Sequence, residues 1–255
     1  LLITDEKLIT RTFKYNLPLL FHCEDEETLK SIPQKKFQTI SDHNANRPPE
    51  AELKSVQKVI KLSQYHKTHV LYFCHISTEL ALEYLKENKS SKIRVEATPH
   101  HLRYSIQNLK NIADPAYKVN PPIREESDRL ALIKAFNNDV ADAVGSDHAP
   151  HLRMEKESEN PPSGMPGIES VFYVLNELAD RNEIDFLKFL KKLTSSYKIF
   201  NIKKRGIIKK GYFADLTIIR NREYIHNPKH LKNDVNTYKN IKSSKYIKTV
   251  IINGK

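Results

Sequence analysis

The chain has 255 residues and a net charge of +11 at pH 7, a length that allows one or two domains with a hydrophobic core. Its positive charge is scattered lysine without the interleaved aromatic residues typical of nucleic-acid recognition, so no specific nucleic-acid partner is expected. No apolar stretch reaches the about 18 residues of a membrane span, no secretory signal is recognisable, and the two cysteines form no disulfide framework, which favours a cytoplasmic protein.

Helix-like and strand-like segments alternate regularly up to about residue 196. The predicted strands cover residues 17–22, 69–75, 92–98 and 140–146. The predicted helices cover residues 4–16, 48–67, 78–88, 126–137, 168–180 and 184–196. This alternation predicts βαβ units and therefore an α/β fold with a parallel sheet.

The pattern changes after about residue 204. Short strands with a glycine turn are predicted within 205–219 and a further strand within 248–255, whereas the polar stretch 221–245 is predicted to be a long surface loop. We therefore divide the chain into residues 1–204, the α/β part, and residues 205–255, a small appended β part.

Three predicted strands end in side chains that are poor core material and good metal ligands. His22 and His75 end the first two strands, and Asp147 follows the fourth within Gly145-Ser-Asp-His-Ala-Pro-His151. The carboxyl ends of parallel strands converge on one face of a barrel. Imidazole and carboxylate are ligands that zinc prefers, so the sequence predicts a metal site formed by His22, His75 and Asp147.

Other polar residues near these strand ends are interpreted as structural. Glu24 and Asp25 are expected to cap the following helix, and the cysteines next to the two histidines should point to the opposite face. Arg47 and Glu50 are interpreted as the start of their helix. Loop packing is expected for His100 and His101, and surface positions for His43, His66, His69, His226 and His230.

A series of motifs in a fixed order resembles the dihydroorotase branch, of the class I type, of the amidohydrolase superfamily. The motifs are His-Cys-Glu-Asp at 22–25, Arg-Pro-Pro-Glu-Ala-Glu at 47–52, His-Ile-Ser-Thr at 75–78, Glu-Ala-Thr-Pro-His-His-Leu at 96–102, Lys-Val-Asn-Pro-Pro-Ile-Arg at 118–124, Asp-His-Ala-Pro-His at 147–151 and Gly-Met-Pro-Gly-Ile-Glu at 164–169. The resemblance runs from residue 1 to about residue 220 and returns at the C-terminal Ile-Ile-Asn-Gly-Lys. It implies strands five to eight of a TIM-type (β/α)8 barrel, followed by part of a small β-sandwich.

The activity that the resemblance implies is zinc-dependent, reversible hydrolysis of the cyclic amide of dihydroorotate to N-carbamoyl-aspartate, in pyrimidine biosynthesis. His22 and His75 would bind one zinc ion, and Asp147 would bind a second ion and move the proton. The implied substrate contacts are Asn120, His151 and the backbone from Met165 to Gly167.

One departure from the family pattern concerns the metal site. The family carries a His-x-His-x-Arg motif on its first strand and a bridging carboxylate or carbamylated lysine on its fourth, and no His-x-His occurs in the 255 residues. We therefore expect this chain to lack the first half of the barrel and to be inactive on its own, whereas a longer protein containing it would be an active dihydroorotase.

Two alternative functions stay open at the level of sequence. Another cyclic amidase, such as an allantoinase or hydantoinase, is disfavoured by Asn120 and His151. A non-catalytic structural partner of aspartate transcarbamoylase is disfavoured by the retained ligands. A homodimer and a complex with aspartate transcarbamoylase are the two assemblies considered.

Overall fold

The computed structural model describes residues 5–15, 17–64, 70–229 and 234–255. Its main sheet has four parallel strands in the order β1-β2-β3-β4. The strands are β1 (Leu19–Phe21), β2 (Leu71–Phe73), β3 (Ile93–Ala97) and β4 (Ala143–Val144). Phe21 lies opposite Phe73, and Phe73 lies opposite Val95, so consecutive strands end side by side. The predicted α/β fold with a parallel sheet is confirmed.

Helices connect and cover these strands. Their bounds are α1 (Glu6–Thr12), α2 (Glu26–Ser31), α3 (Ile40–Ala45), α4 (Pro49–Ser63), α5 (Glu79–Glu87), α6 (Pro99–Arg103), α7 (Glu126–Asn137), α8 (Arg153–Lys156), α9 (Val171–Asp180), α10 (Phe186–Leu193) and α11 (Ser196–Ile199), with a 3-10 turn at Pro115–Tyr117. The long helices agree with the predicted ones, and the short helices α2, α3, α6, α8 and α11 were not predicted. None of the helices in the described ranges is long and apolar enough to cross a membrane.

The core lies between the sheet and the helices. In α5 the buried residues are Ala81, Leu82 and Leu85, an i, i+1, i+4 stripe that faces the sheet. Phe136 of α7 and Val174 of α9 are fully buried in the same apolar cluster. This packing fixes the strand ends on which the predicted site residues stand.

The prediction of a long surface loop at 221–245 is wrong at its two ends, residues 221–226 and 241–245, which lie in strands. The strands predicted within 205–219 and 248–255 are present at 216–219 and 248–251, and residues 205–215 form none. Strand β5 (Leu216–His226) pairs antiparallel with β6 (Ile241–Ile251). Because most β5 side chains are exposed or half-buried, its sequence lacks the alternation of apolar and polar residues by which a strand is recognised. The division of the chain at residue 204 stays a prediction.

Two histidines predicted on the surface are buried. His43 is 6% exposed and His226 is 2% exposed. The ring of His226 stacks on Tyr173 with centroids 4.0 Å apart, and its Nε2 lies 3.0 Å from Ser170 Oγ. An imidazole buries well when its nitrogens find partners, a condition that a single sequence does not reveal. His66, His69 and His230 lie outside the described residues.

Candidate metal centre and active site

His22 and His75 meet at the carboxyl ends of β1 and β2, as neighbouring parallel strands require. Nδ1 of His22 lies 3.1 Å from Nε2 of His75, and the rings meet edge to face with centroids 4.8 Å apart. Tetrahedral zinc, with Zn–N bonds near 2.0–2.1 Å, holds two nitrogens about 3.3 Å apart. The pair therefore has the spacing and the chemistry to fill two positions of a divalent metal that accepts imidazole.

A buried carboxylate orients His22 from behind. Nε2 of His22 lies 2.7 Å from Glu24 Oε2, and Arg47 donates to the same carboxylate from Nε at 2.8 Å and from Nη2 at 2.5 Å. Burial alone would raise the pKa of Glu24, but the hydrogen bonds from His22 and Arg47 outweigh it and lower the pKa to about 2. Ionised Glu24 keeps the proton on Nε2 of His22, which leaves Nδ1 as the ligand nitrogen.

The structure corrects the sequence interpretation of this segment. Glu24 is not a helix cap, because its carboxylate is occupied by His22 and Arg47. Asp25 alone caps α2, accepting a hydrogen bond from the backbone N–H of Thr28 at 3.0 Å. Arg47 was interpreted as the start of its helix, and the structure shows in addition that it donates two hydrogen bonds to Glu24.

The backbone at His75 adopts a rare conformation that its neighbours hold in place. His75 has φ +37°, in the left-handed region that a non-glycine residue seldom occupies. Glu96 on β3 accepts a hydrogen bond from His75 N at 3.0 Å and another from Tyr72 Oη at 2.6 Å. A Cβ on Gly145, the residue that follows β4, would lie 2.3 Å from the Glu96 carboxylate. Glycine at position 145 therefore leaves room for Glu96 to accept these hydrogen bonds.

The turn that follows His75 is anchored by a fully buried carboxylate on α4. Glu52 accepts hydrogen bonds from the backbone N–H and the hydroxyl of both Ser77 and Thr78, at 2.5–3.0 Å for the four shortest contacts. Arg124 also donates from Nε to Ser77 Oγ at 3.1 Å, and from Nη1 to the carbonyl of Arg47. One buried polar network therefore supports both the His75 turn and the segment that carries Arg47.

Burial keeps His75 neutral. Desolvation, reinforced by the adjacent His22, lowers the pKa of His75 to about 4. At neutral pH the ring is therefore uncharged, which is the form that binds a metal ion.

Asp147 follows β4 and lies half-buried. Its backbone is also left-handed, with φ +44°. Burial raises the pKa of its carboxyl group, and nearby His22 opposes that rise. No group of three or more His, Cys, Asp or Glu side chains within the described residues is arranged to hold a metal ion. In the sheet order, β4 lies two strands beyond β2, so the structure assembles the His22–His75 pair, and the ligand role of Asp147 stays a prediction.

The loops that carry the predicted substrate residues are tied to one another by backbone contacts. His148 forms a parallel bridge with Met165, and Ala149 N donates to Met165 O at 3.1 Å. Gly167 N donates to Nδ1 of His148 at 3.1 Å. A Cβ on Gly167 would lie 2.6 Å from the carbonyl oxygen of Ser146, so the close approach of the two loops requires glycine there.

Asn120 and His151 join the same group of loops. Gly164 N donates to the carbonyl of Lys118 at 2.8 Å, two residues before Asn120. Nε2 of His151 donates to the carbonyl of Ser163 at 3.2 Å. The four predicted substrate-binding residues are thus carried by interlocked loops, and their contact with substrate stays a prediction.

These strand ends and loops lie within the part of the chain that matches a known protein family. The sequence model described as "Amidohydrolase family" matches residues 6–255. The chain belongs to the amidohydrolase family. In this amidohydrolase chain the paired histidines, the bracing glutamates and the left-handed strand ends all lie within the matched range.

Relatives of this amidohydrolase chain include two dihydroorotases. The dihydroorotase of Methanosphaera stadtmanae is 36% identical over 233 residues, which are 85% of this chain and 53% of the relative. The dihydroorotase of Pyrococcus furiosus is 34% identical over 199 residues, 78% of this chain and 43% of the relative. The chain spans about half the length of the curated relatives it matches.

Solved structures with the same fold include cyclic amidases. The D-hydantoinase from Bacillus sp. AR9 superposes with a TM-score of 0.86 at 24% identity, covering 98% of this chain and 59% of that one. The dihydropyrimidinase from Brevibacillus agri NCHU1002 superposes with a TM-score of 0.84 at 23% identity, covering 98% of this chain and 58% of that one. At these identities the likeness confirms the predicted amidohydrolase fold.

Sequence reasoning missed several residues that support the candidate site. Glu24 stands two residues after His22, and a carboxylate so close to a predicted ligand is a signal that could have been read as its hydrogen-bond partner. Glu96 was part of a recognised motif but had no assigned role. His43 was predicted to lie on the surface, although its Nε2 contacts Asn120. Nothing in the sequence around His43 indicates that contact.

The adjacent His100 and His101 are buried, as loop-packing residues should be. His101 is fully hydrogen-bonded: Nδ1 lies 2.7 Å from Thr98 Oγ1, and Nε2 donates to the carbonyl of Pro121 at 3.1 Å. The ring of His100 packs on that of His101 with centroids 4.3 Å apart. These contacts account for His101, whereas neither ring nitrogen of the fully buried His100 has a hydrogen-bond partner among the described residues.

Proposed function

We propose that the chain carries some of the metal ligands of a zinc-dependent cyclic amidohydrolase, and that the ring this enzyme opens is dihydroorotate, giving N-carbamoyl-aspartate in cytoplasmic pyrimidine biosynthesis. The observation that carries the proposal is the 3.1 Å approach of His22 Nδ1 to His75 Nε2, with Glu24 bonded behind His22. The dihydroorotases among the relatives support the choice of substrate.

The roles of the chain's own residues follow from their chemistry. His22 and His75 would hold a divalent metal ion, which supplies Lewis-acid catalysis when bound. Asp147 takes a proton from the water that attacks the amide carbonyl and returns it to the nitrogen released when the C–N bond breaks. A carboxyl group whose pKa is raised by burial suits both halves of that transfer.

The loops around Asn120 and His151 supply polar contacts for a small acidic ring. Asn120, His151 and the backbone from Met165 to Gly167 are the proposed substrate contacts. An asparagine amide and an imidazole N–H both donate hydrogen bonds, which suits a substrate that carries ring carbonyls and a carboxylate.

A hydantoinase-like or dihydropyrimidinase-like activity is the second candidate. It is favoured by the solved structures that share the fold, which include a D-hydantoinase and a dihydropyrimidinase. Hydantoin and dihydrouracil lack the carboxylate of dihydroorotate, so relative turnover separates the candidates.

The test is hydrolysis of dihydroorotate, hydantoin and dihydrouracil by the longest open reading frame that contains the chain, supplied with zinc. We expect dihydroorotate to be the preferred substrate and His75→Asn to lower its turnover at least about 100-fold. The matched control is His226→Asn, which removes a buried histidine outside the site and should keep turnover. Preference for hydantoin would replace the substrate assignment, and no turnover of any ring would leave only a non-catalytic role.

A further inference from the structure

His43 on α3 is a buried histidine that reaches the loop carrying Asn120. Its Nε2 lies 2.9 Å from the carbonyl oxygen of Val119 and 2.9 Å from Oδ1 of Asn120. The imidazole ring also packs against the ring of Phe37 in a T-shaped contact, with centroids 6.3 Å apart. One ring nitrogen thus contacts both the backbone and the side chain of the proposed substrate loop.

The chemistry of these contacts fixes where the proton is. A backbone carbonyl can only accept, so the contact with Val119 requires a proton on Nε2 of His43. Burial, with Lys118 and Arg47 nearby, lowers the pKa of His43 to about 4, so the neutral ring carries a single N–H, and it is on Nε2.

The same proton fixes the orientation of the Asn120 amide. Only the oxygen of that amide can face an N–H donor, because its NH2 group would oppose hydrogen to hydrogen. Nδ2 of Asn120 is therefore turned away from His43, and it makes no hydrogen bond to another described residue.

The backbone beside Asn120 is held independently of its side chain. The carbonyl of Lys118 accepts from Gly164 N at 2.8 Å and from Nζ of Lys156 at 3.0 Å. Lys156 is fully buried and donates as well to the carbonyl of Pro162 at 2.9 Å. With the backbone held there, the contact with His43 restrains the rotation of the Asn120 side chain and sets which way its amide faces.

We infer that His43 is a positioning residue that locks the Asn120 amide with its two N–H donors toward the substrate, so that the site selects a ligand presenting an oxygen acceptor there, either a ring carbonyl or a carboxylate. This inference rests on the proposed function, because it takes Asn120 as a substrate contact. It assigns the specificity of that contact to a residue that does not touch the substrate.

Two variants of His43 with similar bulk separate its N–H from its volume. His43→Leu removes the donor, and we expect KM for dihydroorotate to rise about tenfold with kcat within about twofold, the loss of one oriented hydrogen bond. His43→Gln keeps an N–H donor and should raise KM less than about threefold. Equal effects of the two variants, or an unchanged KM in His43→Leu, would overturn the inference.

Variants of Asn120 test the direction of its hydrogen bond. Asn120→Ala removes the amide, whereas Asn120→Asp puts a charged acceptor where the N–H donors stood. Because an acceptor would then face an acceptor, we expect Asn120→Asp to lower kcat/KM at least about tenfold more than Asn120→Ala. An Asp variant as active as the Ala variant would show that no donor is needed there.

A spectroscopic measurement separates the inference from the proposed function. Nitrogen-15 NMR of the imidazole rings reports the tautomer of His43 without substrate or turnover, with His43→Gln as the assignment control. A proton on Nε2 is expected, and a proton on Nδ1 would overturn the inference even if His43→Leu fails to fold. If the unmodified protein opens no cyclic amide, the proposed function fails, and the substrate contact of the inference fails with it while the tautomer result stands.

Discussion

Glu24 and Asp25, the adjacent carboxylates that follow β1, have different roles because they contact different neighbours. Asp25 caps α2, and Glu24 pairs with His22 and with Arg47, which is 23 positions further along the chain. Local sequence predicts the cap, since an acidic residue before a helix is common. It does not reveal the pairing, which depends on where the segment before α4 lies in the fold.

This division of labour predicts separable effects of two conservative substitutions. Glu24→Gln should weaken zinc binding about 10- to 100-fold, because the amide no longer holds the proton on Nε2 of His22. Asp25→Asn should leave zinc affinity unchanged, and because asparagine caps a helix as well as aspartate does, it should cost at most about 1 kcal/mol of unfolding free energy, through the lost charge pairing with Lys58. Zinc titration against a chelating dye and urea denaturation measure the two effects, and equal zinc affinities of both variants would contradict the role of Glu24.

At the scale of elements, the turn after β2 that begins at His75 is stabilised by hydrogen bonds to α4. Glu52 holds both residues that follow Ile76, and Glu96 on β3 holds His75 itself. A non-glycine residue in the left-handed conformation costs about 1–3 kcal/mol, and it persists only where surrounding contacts hold the backbone in place. The hydrogen bonds to the buried carboxylates of Glu52 and Glu96 hold the backbone at and after His75.

Substitutions on one helix test this support. Glu52→Gln should lower the free energy of unfolding by about 1–3 kcal/mol, because an amide cannot accept from all four donors and one buried group loses its partner. Glu50→Gln, an exposed change on the same helix, should stay within about 0.5 kcal/mol of the unmodified protein. Urea denaturation measures the free energy of unfolding of both variants. Similar decreases in that free energy would show that the network does not stabilise the turn.

The sequence predicts elements well where one periodicity dominates. Strands β1 to β4 and helices α4, α5 and α7 were expected, because apolar runs and amphipathic stripes are local signals. Strand β5 was predicted only at its start, within 205–219, since most of its side chains beyond Ile219 face solvent. Of the site, the meeting of His22 and His75 follows from the order of the strands, whereas the contacts of Glu24 with Arg47 and of Asn120 with His43 depend on partners more than 20 residues away.

At the scale of the whole molecule, the chain carries the carboxyl ends of four parallel strands and spans about half the length of the relatives it matches. The sheet order places β1 and β4 at opposite edges. His22 and Asp147 therefore stand at the two ends of one row of strand ends, with His75 next to His22.

Buried neutral histidines should make the whole molecule sensitive to acid. Burial lowers the pKa of both His43 and His226 to about 4, against about 6.5 in an unfolded chain. Between these values the unfolded state binds protons that the folded state does not, so stability is fully present above about pH 6.5 and is lost as the pH falls toward 4.

The comparison that isolates this effect uses one variant. Each such histidine contributes at most about 1.4 kcal/mol per pH unit, so His226→Asn should show a shallower fall in unfolding free energy between pH 7 and pH 5 than the unmodified protein. Denaturation at both pH values with a metal chelator present measures the difference. Parallel pH dependences would mean that His226 titrates normally in the folded protein.

The central claim is that His22 and His75 form the metal-binding pair of a cyclic amidohydrolase, and zinc binding tests it most directly. Zinc affinity would be measured for the longest open reading frame that contains the chain, for His22→Asn and His75→Asn, and for His226→Asn as the control. We predict that each of the first two variants weakens zinc binding at least about 100-fold and that the control binds as the unmodified protein does. Unchanged zinc affinity in His22→Asn and His75→Asn would contradict the account.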